Sequence, residues 1–192
     1  MNTRRTVSIA LLVFAVVLLA GCIISQYDEF RLTINPDGKT GVLELTRRNV
    51  QSDESSPEKQ QRDFKELLSD WKSDAYLIEQ LSEGYYVKKR SLQVEKGVLV
   101  WRQQLLFANL RTILGSDVAN DSLHFRLEHS DVIVSTNGTI QHYQDSTVVT
   151  WPIAPGTFTL KLRRSQFTPT SDFVKLFRES RRTSASPRKS KR

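Results

Sequence analysis

The stretch that decides the fold is Phe30-Arg31-Leu32-Thr33-Ile34, which leads through Asn35-Pro36-Asp37-Gly38 into Gly41-Val42-Leu43-Glu44-Leu45-Thr46. Apolar and polar residues alternate in both flanks, as they do in strands with one buried face. Between the flanks, Pro36 restricts φ and Gly38 tolerates a left-handed conformation, so the connection has turn chemistry. The stretch therefore predicts an antiparallel hairpin on which the rest of the chain can pack.

Further hairpins are expected along the chain. Tyr85–Glu95 and Val98–Phe107 flank the two-residue loop Lys96-Gly97, and this pattern predicts a second, longer hairpin. Residues 109–118 predict only a weaker helical or loop connection. Short strands separated by turn residues then follow, in the spacing typical of a meander: 122–129, 131–135, 139–143, 147–151 and 157–163.

Helical patterns interrupt the strands. Ser56-Pro57 predicts a helix start, because Ser caps helices and Pro is favoured at the first helical position. The stripe that follows is typical of a helix packed on a core: Phe64, Leu67, Leu68 and Trp71. A second short helix is predicted over residues 74–82, carrying Tyr76, Leu77, Ile78 and Leu81 and ending near Gly84. A third is predicted over residues 171–180, capped by Ser171 or Asp172. The predicted class is α+β, a mostly antiparallel sheet of hairpins and a meander with one or two inserted amphipathic helices.

The amino terminus has the layout of an export signal. Arg4 and Arg5 precede an apolar run over residues 7–19, and small residues stand directly before Cys22, the one cysteine in the chain. An uncleaved anchor is the alternative, because the apolar window approaches the roughly 20 residues that span a bilayer. The small residues before a single cysteine favour cleavage.

Leu19-Ala20-Gly21-Cys22 resembles the lipobox of bacterial lipoproteins. The resemblance implies a diacylglycerol group on the Cys22 thiol, with palmitate-type chains, cleavage before Cys22 and acylation of the new amino terminus. It also implies location in the cell envelope, attached to the membrane by that lipid. Ile23 stands where an aspartate would retain such a protein in the inner membrane, so outer membrane facing the periplasm is expected if the cell is Gram-negative.

These patterns predict four segments in the chain. They are a lipoprotein signal peptide over residues 1–21, a lipidated tether over 22–28, a single α+β envelope domain over 29–178 and a basic disordered tail over 179–192. The formal charge of +7 belongs to the ends, because residues 178–192 hold seven basic residues against Glu179. Since the body between the ends is near neutral, a nucleic-acid partner is not expected.

A search for catalytic or metal-binding patterns finds little. His124, His129 and His142 have no carboxylate or cysteine at metal-ligand spacing. The nucleophile elbow, the zinc-protease helix motif and the glycine-rich phosphate loop are all absent from the sequence. Asp37 in its turn is far from a calcium loop, and Asn137-Gly138-Thr139 matches a glycosylation acceptor that a bacterium would not use. No enzyme activity, metal or cofactor is expected.

The order of the elements is similar to the LppM-type family of bacterial lipoproteins. The likeness lies in the lipobox, an early strand ending in Asn35-Pro36-Asp37-Gly38, a helical middle, and late strands around Thr136-Asn137-Gly138 and Val148-Val149-Thr150-Trp151. It implies an α+β domain for which lipid binding has been proposed. It carries over no functional residues, and this chain lacks a second apolar segment near its carboxyl end.

Two functions are therefore expected as alternatives. The first is a non-enzymatic envelope module that binds a lipid or another hydrophobic ligand, with Trp71, Trp101 and Trp151 as candidate contacts and an apolar cavity of roughly 300 to 1,000 Å3. The second is a structural accessory subunit that docks on an envelope protein complex through a sheet edge, an apolar patch or the tail. The basic tail is expected either to touch anionic lipid headgroups or to remain solvated.

Overall fold

The structure is a computed structural model that describes residues 23–110, 113, 116–119, 121–127, 131–169 and 172–185. It confirms the predicted α+β class with mostly antiparallel strands. The strands are β1 (Ile23–Ile24), β2 (Tyr27–Ile34), β3 (Gly41–Arg48), β4 (Gln51–Ser52), β5 (Tyr85–Glu95), β6 (Val98–Phe107), β7 (Ser116–Ala119), β8 (Ser122–Leu127), β9 (Asp131–Thr136), β10 (Thr139–His142), β11 (Thr147–Pro152) and β12 (Gly156–Arg164). The helices are α1 (Pro57–Lys72), α2 (Asp74–Ser82) and α3 (Phe173–Ala185).

The predicted first hairpin, β2–β3, lies inside a six-stranded sheet with the order β5-β6-β3-β2-β12-β9. Its turn is closed by Asp37, whose Oδ1 accepts the backbone N–H groups of Lys39 and Thr40 at 2.9 Å each. Gly38 adopts a φ of 66°, the left-handed region expected for it. The predicted hairpin β5–β6 is also confirmed and forms one edge of this sheet.

A smaller sheet of four strands, β10-β11-β8-β7, covers part of the apolar face of the large one. Leu32, Leu43 and Leu105 of the large sheet share one buried cluster with Val149 and Trp151 of the small sheet. The short strands after residue 116 thus divide between two layers: β9 and β12 join the large sheet, and β7, β8, β10 and β11 form the small one.

The helices cover the remaining part of the same apolar face. Because side chains two apart in a strand share a face, Leu99, Leu105 and Phe107 of β6 all point to one side of the sheet. Leu105 and Phe107 belong to the cluster under the small sheet, whereas Leu99 packs with Phe64 of α1 and Phe173 of α3. The β6 strand therefore joins two cores, one between sheets and one under the helices.

Caps set the helix starts as the sequence predicts. The Ser56 side chain accepts from the Lys59 N–H at the start of α1, with Pro57 at the first helical position. At α3, the Asp172 side chain caps the helix, since its Oδ1 accepts the Lys175 N–H at 2.9 Å, and Ser171, the other predicted cap, lies outside the described residues. The end of α3 differs from expectation, because the helix continues through Ala185 instead of ending at residue 180. It therefore occupies residues 179–185 of the segment predicted as a disordered tail.

The structure corrects the prediction of a tether over residues 22–28, because residues 23–28 belong to the folded domain. Residues 23 and 24 form β1, which pairs with β4, and β2 already begins at Tyr27. The connecting residues are held as well: the Gln26 N–H donates to the Arg48 carbonyl at 3.0 Å, and Ser25 is buried with its Oγ bonded to Asp28. Local sequence does not show this, because the strand that pairs with β1 lies more than twenty residues away.

Cys22, with the rest of residues 1–22, lies outside the described residues, as do His129, residues 111, 112, 114 and 115 of the predicted connection, and residues 186–192. The end of that connection differs from expectation, because residues 116–118 belong to strand β7 and not to a helix or loop. Among the described helices, none combines the length and the apolar character needed to cross a bilayer.

Candidate functional site

The polar face of the six-stranded sheet forms an open groove of about 840 Å3. Alternation along the strands creates it: in β2, Phe30 and Leu32 face the core while Glu29 and Arg31 face the groove. All six strands contribute to its lining. The polar lining side chains are Glu29, Arg31, Glu44, Thr46, Lys89, Ser91, Gln93, Glu95, Arg102, Gln104, Ser135, Thr159 and Lys161.

One row of charges crosses the groove as a continuous chain of ion pairs. Glu29 accepts from Lys161 Nζ at 2.9 Å and from Arg48 Nε at 3.1 Å. Arg48 also lies 3.5 Å from Glu95, which is bonded in turn to both terminal nitrogens of Arg102. Because positive and negative side chains alternate along this row, Glu29 and Glu95 each have two cationic neighbours.

A second row lies about two residues further along the strands. Arg31, Glu44, Gln104 and Lys89 stand directly opposite one another across β2, β3, β6 and β5. Glu44 accepts from Gln104 Nε2 at 3.1 Å and lies 3.8 Å from Arg31. These contacts are looser than those of the first row, and the Arg31 side chain keeps 63% of its surface exposed. The polar groups of the second row are therefore more exposed and more weakly paired than those of the first row.

The carboxylates of the first row are held in their charged form. Hydrogen bonds from Arg102 outweigh the effect of burial and, with Gln93 and the charge of Arg48, lower the pKa of Glu95 to about 2. For Glu29, burial favours the neutral acid, but bonds from Lys161 and Arg48 prevail and lower its pKa. A general acid needs a raised pKa, so this row is suited to holding charge rather than to proton transfer.

The apolar space between the sheets is small. A cavity of about 30 Å3 lies among Leu32, Ile113, Phe125, Trp151 and Phe158. This is close to the share of volume of one water molecule in the liquid and far below the roughly 300 Å3 of a small ligand site. The apolar cavity expected for a lipid or another hydrophobic ligand is thus not found at this position, and the larger space lies on the polar face.

The three tryptophans do not form one site. Trp71 and Trp101 pack against each other under the helices, with ring centroids 5.4 Å apart. Trp151 belongs to the other core, where its Nε1 donates to Asn137 Oδ1 at 3.0 Å. None of the three lines the groove.

The described histidines have local hydrogen-bonding roles. His124 contacts Thr150 Oγ1 at 3.1 Å and the Ala119 carbonyl at 3.3 Å, and His142 contacts Thr147 Oγ1 at 3.1 Å. Within the residues that the structure describes, no group of three or more His, Cys, Asp or Glu side chains is placed to hold a metal ion.

Helix α2 leaves two of its large apolar residues exposed to solvent. Ile78 and Leu81 are 67% and 63% exposed, whereas Gln80 is 8% exposed. The helix was predicted correctly, but Ile78 and Leu81 do not cover the sheet as expected, whereas Leu77 is half-buried. Its contact with the core passes instead through Tyr76, whose hydroxyl donates to the buried Gln103 at 2.7 Å. Ile78 and Leu81 are one turn apart, so they present a common apolar face to solvent.

The groove residues were not singled out from the sequence. Alternation in β2, β3 and β6 indicates which residues share a polar face, but it does not show which strands become neighbours. No protein-family model matches this chain, and no curated protein and no solved structure matches it either.

Proposed function

We propose that this chain is a lipid-anchored, non-enzymatic binding module of the bacterial cell envelope, and that its ligand binds in the charged groove. The lipobox resemblance at Leu19-Ala20-Gly21-Cys22 supports the anchor. The observation that carries the binding site is the groove of about 840 Å3, which falls in the usual range of ligand sites, roughly 300 to 1,000 Å3. Its ionised carboxylates support binding rather than catalysis.

The ligand that fits this face is a lipid held by its polar headgroup. Arg31 provides an exposed cation for a phosphate, and Glu44 lies beside it as an acceptor for a headgroup amine. Lys89, three strand spacings away in the same row, provides a second exposed cation. The acyl chains remain outside the protein, because the apolar cavity of about 30 Å3 has no room for them.

The test is native mass spectrometry of residues 23–192, exported to a bacterial envelope compartment, purified without detergent and mixed with a short-chain phospholipid below its micelle concentration, because long acyl chains held outside the protein would keep a lipid in the membrane. All described strands and helices lie within residues 23–185, so this piece contains the whole described fold. We expect a bound mass in the lipid range, its loss in Arg31→Ala/Lys89→Ala, and its retention in Lys65→Ala/Lys72→Ala. The control pair removes the same charge from exposed positions on α1. A clean unliganded mass for the unaltered protein contradicts a lipid ligand.

The anchor is tested separately on the full chain. Cys22→Ser removes the thiol to which the lipid is attached, so we expect the variant to remain unlipidated and unprocessed. Processing and lipid mass identical to those of the unaltered chain contradict the anchor.

A second candidate function is that of an accessory subunit which docks on an envelope protein complex. The exposed face of α2 favours it, because Ile78 and Leu81 are 67% and 63% exposed while a glutamine is buried behind them. We expect Ile78→Gln/Leu81→Gln to shift a large detergent-extracted complex to the size of the free chain. Val132→Gln/Ile140→Gln is the matched control, since those side chains are exposed elsewhere. A monomer in the unaltered extract contradicts docking.

A further inference from the structure

The chain enters its fold directly after residue 22. Consecutive Cα atoms are about 3.8 Å apart, so residue 22 lies within one step of Ile23. Ile23 pairs with Ser52 and Ile24 with Gln51, which fixes β1 against β4. β4 is held in turn by α1, since Ser52 Oγ donates to the buried Asp63 at 2.6 Å. A lipid on residue 22 is therefore attached at a defined place on the domain.

Helix α3 belongs to the same end of the molecule. Gln51 Nε2 of β4 donates at 3.0 Å to the carbonyl of Thr168, in the segment that leads into α3. Phe173 of α3 is 1% exposed and its ring lies 5.2 Å from that of Phe64. Ile23 packs against this same cluster. We call β1, β4 and α3 the anchor end.

The outer side of α3 is basic. Lys175, Arg178 and Arg182 are exposed and recur at i, i+3 and i+7, so they form one stripe opposite the buried Phe173 and Phe177. Arg181 is also exposed, with its guanidinium 5.8 Å from the Phe177 ring. The sequence beyond residue 185 adds Arg188, Lys189, Lys191 and Arg192.

Few acidic groups oppose this stripe. Glu179 is the one carboxylate within α3 itself, and Asp172 caps the helix. Asp53 and Glu54 follow β4, where Glu54 is paired with Lys59 Nζ at 3.0 Å. Within α3, four basic side chains, Lys175, Arg178, Arg181 and Arg182, stand against the single carboxylate of Glu179.

From this placement we propose that the anchor end is a membrane-contact face, on which the basic stripe of α3 lies against anionic headgroups of the same membrane that holds the Cys22 lipid. The proposal rests on the lipid anchor proposed above. An acyl anchor and a polybasic segment act together on a membrane, and here they converge on one end of the fold. The lipid provides attachment, and the helix sets the orientation of the domain.

The orientation has a consequence for the rest of the molecule. β2 runs from Tyr27, beside the anchor end, to Ile34, and eight strand residues span roughly 25 Å. Tyr85 of β5 pairs with Phe107, which pairs with Gly41 at the Ile34 end of the sheet. Since α2 leads into Tyr85 through a two-residue connection, the carboxyl end of α2, which carries Leu81, lies near the end of the sheet away from the anchor end.

The test uses residues 23–192 with an amino-terminal polyhistidine tag, attached to phosphatidylcholine vesicles that contain a nickel-chelating lipid. The tag takes the place of the lipid on residue 22, so the outcome does not depend on whether Cys22 is acylated. With one third phosphatidylglycerol in the vesicles, we expect slower hydrogen exchange in β1, β4 and α3 and no change in the 35–40 turn. Equal exchange with and without phosphatidylglycerol, or protection of the turn instead, overturns the proposal.

A variant pair identifies the groups responsible. Arg178→Gln/Arg182→Gln should lower the affinity of the untagged protein for phosphatidylglycerol vesicles by about 10-fold to 30-fold. Lys65→Gln/Lys72→Gln, which removes the same charge from α1, should leave the affinity unchanged. Equal losses in both pairs, or binding to soluble polyglutamate as tight as to vesicles, assign the effect to charge in general and overturn a membrane face.

Discussion

The ring of Trp71 on α1 lies edge-on to the ring of Trp101 on β6, with centroids 5.4 Å apart and planes at 86°. Two arginines flank the pair: the Arg47 guanidinium lies 4.9 Å from the Trp101 ring and that of Arg90 lies 5.6 Å from the Trp71 ring. Edge-to-face aromatic pairs and cation–π contacts both stabilise such an arrangement. The two tryptophans thus attach α1 to the sheet and do not form a ligand cavity.

Trp71→Ala should lower the free energy of unfolding by about 2 kcal/mol, because it removes aromatic contacts from a partly buried site. Urea unfolding measures the change. A double-mutant cycle with Trp101→Ala should show a coupling of about 0.5 to 1.5 kcal/mol. Trp151 lies in the other core, so the coupling energy between Trp151→Phe and Trp71→Ala should be close to zero. Equal coupling energies for the two pairs contradict a specific Trp71–Trp101 contact.

Tyr76→Phe should destabilise the fold by about 1 to 3 kcal/mol, because the buried Gln103 loses the hydroxyl that donates to it. Tyr76 also makes stability depend on high pH. Burial, only partly opposed by the Gln103 bond and by Arg47 and Arg90, raises the pKa of Tyr76 from 10.0 to about 12. Between about pH 10 and pH 12 the folded protein therefore keeps the Tyr76 proton while the unfolded chain releases it. The free energy of unfolding falls as the pH rises through this range.

Urea unfolding across alkaline pH checks the Tyr76 prediction. The slope of stability against pH above about pH 10 should be shallower in Tyr76→Phe than in the unaltered protein. Tyr143→Phe is the control, since Tyr143 is 55% exposed. A steep slope that survives in Tyr76→Phe refutes the assignment to Tyr76.

Glu95→Gln should destabilise the protein at neutral pH, because the carboxylate is bonded to Arg102 and lies 3.5 Å from Arg48. The Arg102 hydrogen bonds lower the pKa of Glu95 from 4.5 to about 2. A carboxylate with a lowered folded pKa stabilises the fold above its unfolded pKa and loses that contribution as the pH falls through the folded one.

The stability difference between the unaltered protein and Glu95→Gln should thus be constant above about pH 4.5 and disappear toward pH 2. Glu66→Gln serves as a control, because Glu66 is 55% exposed on α1 and lies 3.8 Å from Arg62. A difference for Glu95→Gln that does not change with pH argues against an ion-pair origin.

Asn137→Ala should destabilise the region where the two sheets meet, by about 2 kcal/mol. The Asn137 Oδ1 accepts from Trp151 Nε1 at 3.0 Å and from the Thr159 N–H at 2.8 Å, and its Nδ2 donates to the Thr157 carbonyl at 2.8 Å. One side chain therefore joins the β9–β10 connection to β11 and β12. Differential scanning calorimetry measures the change.

Asn35→Ala is the matched control, because Asn35 makes an exposed contact of 2.8 Å with Thr40 in the first hairpin turn. We expect its effect to stay below about 1 kcal/mol. Equal effects at both positions are incompatible with the linking role of Asn137.

The polar face of each strand in the candidate site could be predicted from the sequence, but the contacts between strands could not. The alternation of Glu29 and Arg31 with apolar residues indicates a polar face on β2, and similar alternation marks β3 and β6. The groove itself requires that Glu29 meet Lys161 from β12 and that Arg48 meet Glu95 from β5. The partners of the first pair are 132 positions apart in the chain and those of the second pair are 47 positions apart. No local sequence pattern therefore predicts either contact.

The sequence by itself determined the turns and helix caps, because these features depend on residues that are neighbours in the chain. The Asn35–Gly38 turn, the Lys96-Gly97 hairpin and the Ser56 cap follow from backbone preferences and short-range hydrogen bonds, and the structure has each of them. For α3 the sequence left Ser171 and Asp172 as alternative caps, and the structure shows the Asp172 contact. The pairing of the strands depends on the tertiary structure. It places residues 23 and 24 of the predicted tether in β1, and it makes Asn137 a link between the two sheets. It also decided which side of α2 is buried, because the hydrogen bond from Tyr76 to Gln103 orients the helix with Ile78 and Leu81 in solvent. Such contacts depend on residues distant in the chain, and their free energy outweighs what a nine-residue helix prefers on its own.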